Sequence, residues 1–332
     1  MLTLGWKASA EQFGPRELLE LGVAAEGLGF DSVVISDHFH PWRDTGGHAP
    51  FSFAWLGAIG ERTKRVRLGT SVVTPTFRYH PAIVAQAMAT LALLFPDRVF
   101  LGVGSGESMN ETPVLGHAWP SAGQRLSRLR EAVQVMKRLW SEDYVTHEGE
   151  HYRMKEAKLF DKPEGGVPLL IAAGGPKAAE FAGREGDGII VTSGKGEQLY
   201  SRTLVPAFER GARTSGRDPG SLERMIEIKV SFDPDRERAL ADTREWAALA
   251  LPAEEKAGVE DPREMEKRAA GAADKAHTRF IVCDDPDECV AECMPYIDLG
   301  FDHLVFHFPG LDQERSMRHF AKEVLPRLRR RA

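Results

Sequence analysis

The chain has 332 residues, 42% of them hydrophobic and 28% charged, with a formal net charge of −6. That composition supplies one large core or two smaller ones, rules out disorder as the default and gives no sign of nucleic acid as a partner. The three cysteines, Cys283, Cys289 and Cys293, are an odd number clustered late in the sequence. They do not form a disulfide framework, they suit a reducing compartment, and with no close fourth ligand they imply no metal site.

The first residues, Met1 to Lys7, lack the charged, apolar and small-residue segments of a signal peptide, and no apolar run approaches the length of a membrane span. A cytoplasmic protein with no membrane partner is expected. Leu2 to Ala8 reads as a first strand that delivers Ser9, Ala10 and Glu11 to its far end, and Pro15 opens a helix running to Leu28. The second strand, Ser32 to Asp37, is driven by Val33, Val34 and Ile35 and empties into His38 and His40 before Pro41 and Trp42. On this stretch alone, two surface loop histidines are as good a reading as catalysis.

A helix around Pro50 to Glu61 precedes a third strand, Val66 to Thr74, and Pro81 begins an apolar helix ending near Leu94. The fourth strand, Arg98 to Gly106, runs into Glu107. After a helix from about Gly123 to Trp140, a hairpin pairs Tyr144 to His147 with His151 to Met154. Strand five is Pro168 to Ala173, strand six Gly188 to Thr192, and strand seven Met225 to Phe232. A charged, mostly helical insertion at about 235–275 follows, long enough to cover a site. Strand eight is His303 to Phe308, and a closing helix spans Asp312 to Arg330. The basic end, Arg327 to Arg331, reads as a solvated helix C-terminus.

Eight strands alternating with helices predict a (β/α)8 TIM barrel, one domain over residues 1–332 with an inserted segment. In such a barrel Glu11, Asp37, His38, Ser71, Thr74, Glu107, Thr192 and Lys195 share one mouth, because each lies at or beyond the C-terminal end of a different strand.

Gly102 to Gly106 has the wrong spacing for a dinucleotide fingerprint, and Glu107 to Pro113 is a poor start for the helix such a site requires. The stretch reads instead as a strand end that a flat cofactor can approach closely, or as a tight turn. Ala172 to Lys177 combines small residues with Pro176 at a helix start, which suits an anion as well as plain helix entry. Thr192 to Lys195 offers a hydroxyl and an ammonium to a phosphate or carboxylate, although by itself it reads as a turn lysine. His303 and His307 lie on a strand rather than a zinc helix and read as core or barrel-lining histidines.

Lys7 to Phe13, Ser36 to Trp42, Gly46 to Phe51, Gly69 to Tyr79 and Val99 to Glu107 together resemble the coenzyme F420-dependent glucose-6-phosphate dehydrogenases of the bacterial luciferase-like superfamily. Ile171 to Pro176, Thr192 to Lys195, Met225 to Lys229 and His303 to His307 extend the likeness over essentially the whole chain. The resemblance implies a (β/α)8 barrel, a homodimer, the deazaflavin coenzyme F420 and a phosphorylated hexose as substrate. His38 corresponds to the base for the C1 hydroxyl proton, Trp42 to an aromatic beside the deazaflavin, Glu107 to a proton donor and Glu11 to a second active-site carboxylate. Thr192, Lys195, Lys256 and Arg279 match the sugar-phosphate ligands. Asp37, Thr74, Gly106, Asn110, Ala172, Ala173, Gly174 and Gly175 match cofactor contacts, and Ser71–Val72 matches a cis peptide behind the deazaflavin.

His40 stands where some relatives carry glutamine, and Thr112 to His117 and Asp242 to Arg268 match less closely, so the resemblance leaves the hexose open. An FMN- or F420-dependent oxidoreductase acting on another substrate, or a silent binding protein, are the competing expectations.

Overall fold

The computed structural model describes residues 2–116 and 118–331. Met1 of the N-terminal stretch and His117 of the divergent segment lie outside the described residues.

Eight parallel strands close into a barrel. They are β1 (Thr3–Ala8), β2 (Ser32–Ile35), β3 (Arg67–Thr70), β4 (Val99–Val103), then, past the hairpin strands β5 (Val145–Glu148) and β6 (Arg153–Ala157), β7 (Leu169–Ala172), β8 (Gly188–Thr192) and β9 (Glu223–Phe232). A short strand, β10 (Ile281–Cys283), precedes the last, β11 (His303–His307), which pairs with both β9 and β1 to complete the ring. The neighbours otherwise follow chain order from β1 to β4, then β7, β8 and β9. Parallel strands need crossovers, and helices such as Pro15–Gly27, Pro81–Leu94 and Pro176–Glu185 provide them, each opening on a proline whose missing N–H costs nothing at that position.

Period-two alternation divides the strands between two cores. Leu4, Trp6, Val33, Ile35, Leu101, Ile226, Ile228 and Phe306 face outward into the layer shared with the helices. Val34, Phe100, Leu170, Ile190, Met225 and Val305 fill the barrel interior as a dry plug. Polar groups occupy the two ends. Below the plug, Ser32 Oγ lies 2.6 Å from His303 Nε2, and His303 Nδ1 lies 2.6 Å from Glu223 Oε1, which also receives Arg67. Ser, His and Glu in line resemble a hydrolytic triad, but Ser32 is fully buried and the cluster ties strands together.

Three differences from the sequence reading bear on the site. A helix, Ser108–Leu115, does follow Glu107, with Pro113 inside it, so the objection to a helix there is corrected; the parallel barrel is what excludes the dinucleotide fold. The strand β10 pairs with the far half of β9 and was not anticipated, being only three residues long. The closing helix is two helices, Gln313–Glu323 and Leu325–Arg331. Between β9 and β10 the expected helical stretch is a string of short helices, from Arg236–Asp242 to Ala273–Arg279.

Candidate active site

A cavity of about 290 Å³ opens at the C-terminal ends of the strands. The expected residues Asp37, His38, Ser71, Val72, Thr74, Gly106, Glu107, Asn110, Ala172, Ala173, Gly174, Thr192 and Lys195 all line it. Gly175 lies next to it, as the residue preceding the helix Pro176–Glu185. Glu11 and Trp42 line an adjoining cavity of about 250 Å³ that runs under the inserted helices.

Glu11 and His38, delivered by β1 and β2, form the closest polar pair. Their Oε1 and Nδ1 atoms are 2.7 Å apart, off the line of a well-aligned hydrogen bond. Glu11 Oε2 accepts the Trp42 backbone N–H at 2.8 Å, so one carboxylate holds both the imidazole and the indole-bearing turn. Burial by itself raises a carboxyl and lowers an imidazole. Here burial is outweighed: the close contact with His38, the Trp42 amide and Lys7 hold Glu11 below its ordinary value. Glu11 and then Glu107 hold His38 above its own, against burial and Lys7. With Nδ1 turned to Glu11, Nε2 is the nitrogen left for a substrate.

The turn carrying His38 is fixed from both sides. Asp37 accepts hydrogen bonds from the hydroxyls of Ser52 (2.7 Å) and Tyr79 (2.9 Å) and from the Arg78 guanidinium (2.8 Å). Asn110 Oδ1 accepts the backbone N–H groups of Phe39 and His40 at 2.7 and 3.1 Å. Arg78 also pairs with Glu111 on the same helix as Asn110. Asp37 therefore has most of its acceptor capacity occupied by the protein itself.

Small residues make the cavity approachable. A Cβ at Gly104 would fall 2.7 Å from Val72 Cγ2, and one at Gly106, where φ is +86°, would fall 2.9 Å from Thr74 Cγ2. The Ser71–Val72 peptide bond is cis, and Lys7 donates to the Ser71 carbonyl. Opposite, nothing lies within 4 Å of the Cβ positions at Gly174 and Gly175, which leaves the start of the helix Pro176–Glu185 open to an anionic group. A flat ring against Val72 with an acidic tail at that helix start fits these walls.

Three cations meet at the other side. Gly194, at φ +76°, allows the Arg279 backbone to pass its α-carbon: a Cβ there would fall 2.9 Å from the Arg279 carbonyl oxygen. Lys195, an exposed residue, is held below its ordinary value by partial desolvation and then by the Arg279 guanidinium. Lys256, half-buried, is lowered by desolvation, Arg279 and Lys195 in turn. Arg279 Nε has no hydrogen-bond partner among the described residues. Gathered like charges with depressed proton affinity favour an anion. Lys256 also lies 5.7 Å from the Trp42 ring centroid, which brings the inserted segment to the β2 turn.

Sequence reasoning missed the buried charges beneath the mouth. Lys7 lies 3.3 Å from Glu227, Lys229 lies 3.9 Å from it and His307 lies 3.7 Å from it. Glu227 also lines the cavity. Desolvation would raise its carboxyl, but Lys7, Lys229 and His307 bring it down to about 2, whereas burial pushes Lys229 down to about 8 and His307 to about 4. The signal was there: Glu227 and Lys229 alternate with Ile226, Ile228 and Val230, so the charged pair faces inward on a strand whose outward face is apolar.

The luciferase-like monooxygenase family model matches residues 3–303. The chain is 57% identical to the F420-dependent glucose-6-phosphate dehydrogenase of Mycobacterium avium, over 99% of this chain and 98% of that one, and 56% identical to its counterpart in Mycobacterium tuberculosis with the same coverage. Among solved structures, an F420-dependent secondary alcohol dehydrogenase holding an F420-acetone adduct superposes with a TM-score of 0.92 at 36% identity, covering 98% of this chain and 99% of that one. An F420-dependent tetrahydromethanopterin reductase from Methanopyrus kandleri shares the fold, with a TM-score of 0.82 at 21% identity over 98% of this chain and 99% of that one.

Proposed function

The chain belongs to the luciferase-like monooxygenase family, and on that premise we propose that it is an F420-dependent glucose-6-phosphate dehydrogenase. It oxidises C1 of glucose 6-phosphate, or of a closely related hexose 6-phosphate, to the lactone. The observation that carries this reading is the placing of the His38–Glu11 pair and the Lys195, Lys256 and Arg279 cluster at one barrel mouth, with the small-walled cavity between.

When bound, the deazaflavin supplies the two-electron acceptor for the hydride that leaves C1. Val72, Thr74, Gly106, Asn110 and Ala172 to Gly175 hold it, with Asp37 acting through the turn it anchors. His38 takes the C1 hydroxyl proton at Nε2, and Glu11 orients the imidazole and stabilises the cation formed. Trp42 walls the reacting pair from water. Glu107 lines the same cavity and would serve as the proton-relay group on the cofactor side. Thr192, Lys195, Lys256 and Arg279 grip the phosphate, and that remote binding energy orients C1.

We propose further a cytoplasmic homodimer that is a single barrel domain with the inserted segment closing over the sugar. Exposed Ile83, Leu93 and Leu94 on the helix Pro81–Leu94 and nearby Phe51 support self-association. Light scattering is expected to give twice the 36.7 kDa chain mass, and the single-chain mass would count against the dimer.

The activity is tested by mixing the protein with oxidised F420 and a panel of hexose 6-phosphates and following loss of the cofactor's visible absorbance. Bleaching with glucose 6-phosphate is expected. Tightly bound FMN with oxygen-dependent turnover and no bleaching would overturn the reading.

A further inference from the structure

We propose that Glu227 is the residue that reads a ring hydroxyl of the sugar, and so sets which hexose 6-phosphate is accepted. The inference rests on the sugar-phosphate reading above and deepens it.

Glu227 stands midway along β9, with Thr192 as its register partner on β8 and its backbone carbonyl accepting the Ser193 N–H at 2.8 Å. The strand thus places it directly beside the threonine and two residues from the turn that leads to Lys195. Its side chain lines the same cavity as the proton acceptor His38 and as Thr192 and Lys195, and it is close enough to Lys195 to act on that charge. A sugar whose phosphate rests on the cations and whose C1 reaches His38 must lay its ring across that interval. Of the carboxylates lining the cavity, Asp37 and Glu111 are paired with Arg78 and Glu107 is proposed for the cofactor side, which leaves Glu227 as the acceptor for the sugar ring.

Its neighbours keep it available. Lys7 and Lys229 stand at 3.3 and 3.9 Å and offset its charge in a dry setting, with the His307 ring at 3.7 Å, without filling the four or so lone-pair sites of a carboxylate. Side-chain exposure is 11%, and the open part is the part that meets the cavity. The same cations hold it ionised through the ordinary pH range, so it offers acceptors only. An alcohol O–H donating to a buried ionised carboxylate forms one of the stronger hydrogen bonds, and a substrate lacking or inverting that hydroxyl leaves the carboxylate unpaired. Of the other members of the cluster, Lys7 is turned to Glu227 and the Ser71 carbonyl and Lys229 to Glu227 and the Ser193 carbonyl, whereas the His307 ring nitrogens have no hydrogen-bond partner among the described residues.

The test compares kcat/KM for glucose 6-phosphate and its 2-, 3- and 4-deoxy analogues in the wild type, Glu227→Gln and Glu227→Asp. F420 affinity and the melting temperature are measured alongside. In the wild type, one deoxy position is expected to cost at least about tenfold. Glu227→Gln is expected to lose a similar factor with glucose 6-phosphate and no further factor with that one analogue, with F420 affinity kept. Equal losses for all four sugars would assign Glu227 to holding Lys7 and Lys229 alone and overturn the proposal, as would a wild type indifferent to every deoxy position. Should Glu227→Gln fail to fold, Glu227→Asp retains the charge while withdrawing the oxygens and carries the same comparison. If no hexose 6-phosphate reduces F420 in the wild type, the functional reading itself falls, an outcome distinct from uniform losses in an active enzyme.

Discussion

His38 has two ring nitrogens with different neighbours, and that asymmetry sets how it handles a proton. A base must be neutral to accept one, so activity should rise with pH as His38 loses its proton, and the raised His38 value places that rise above the ordinary histidine range. Glu11→Gln removes the first neighbour that raises His38. The acid limb of the kcat/KM profile is then expected to move to lower pH, with kcat falling about tenfold or more as the imidazolium loses its partner. An unmoved limb would separate Glu11 from the proton transfer. Lys195→Ala is expected to raise KM for the phosphorylated sugar by about ten- to a hundredfold with a smaller change in kcat, because the lost contact is with the remote phosphate. An unchanged KM would remove Lys195 from the phosphate grip. The positions of His38 and Lys195 beyond strand ends were legible in the sequence, but the roles proposed for them came from the resemblance, since alone the one reads as well as a loop histidine and the other as a turn lysine. Glu227 and Lys229 left a signal in their alternation with apolar residues, but Lys7 did not, since a single charge inside an apolar strand reads as a solvent-facing position until closure of the barrel turns it inward.

The elements contribute through what they can bring together. The inserted segment reaches the β2 turn by four ties: Arg43 to Glu245 at 2.6 Å, Glu266 to the amides of Asp44 and Thr45 at 3.1 and 3.0 Å, His40 Nδ1 to the Glu260 carbonyl at 3.2 Å, and Lys256 over Trp42. These contacts are partly exposed and individually weak, which agrees with the proposed closing of the segment over the sugar. Lys256→Ala is expected to raise KM for the sugar phosphate by at least about tenfold while leaving F420 affinity within twofold; equal losses in both affinities would make the segment a general scaffold instead. Eight strands and most helix starts could be read from periodicity and proline placement. What could not be read were the elements whose cause lies elsewhere in the fold. The helix Ser108–Leu115 carries an internal proline and weak propensity, and is held by Asn110 and Glu111 bonding to the residues of the β2 turn and Arg78. The strand β10 exists because β9 runs on past the barrel to pair with it.

At the scale of the whole molecule, the barrel is a dry plug between two ionic layers, and the two layers differ in purpose. The lower one, with Glu223 held at about 2 chiefly by His303 and Arg67 against the cost of burial, ties β2, β3, β9 and β11. A carboxyl depressed in the folded state contributes stability that is complete above its ordinary value of 4.5 and is lost as pH falls toward 2, on the order of 3 kcal/mol for Glu223. The urea midpoint is therefore expected to fall between pH 4.5 and 3, and Glu223→Gln to be less stable at pH 7 with a flatter decline. A parallel decline in both proteins would place the acid sensitivity elsewhere. The upper layer underlies the proposed site, and the central claim is that proton and hydride leave the sugar there. The most direct test is the rate of F420 reduction by glucose 6-phosphate in a single turnover, compared between wild type and His38→Ala under conditions where both bind F420 and sugar. The account predicts a rate lower by about a hundred- to ten-thousandfold in the variant; a rate within a few-fold of wild type would contradict it.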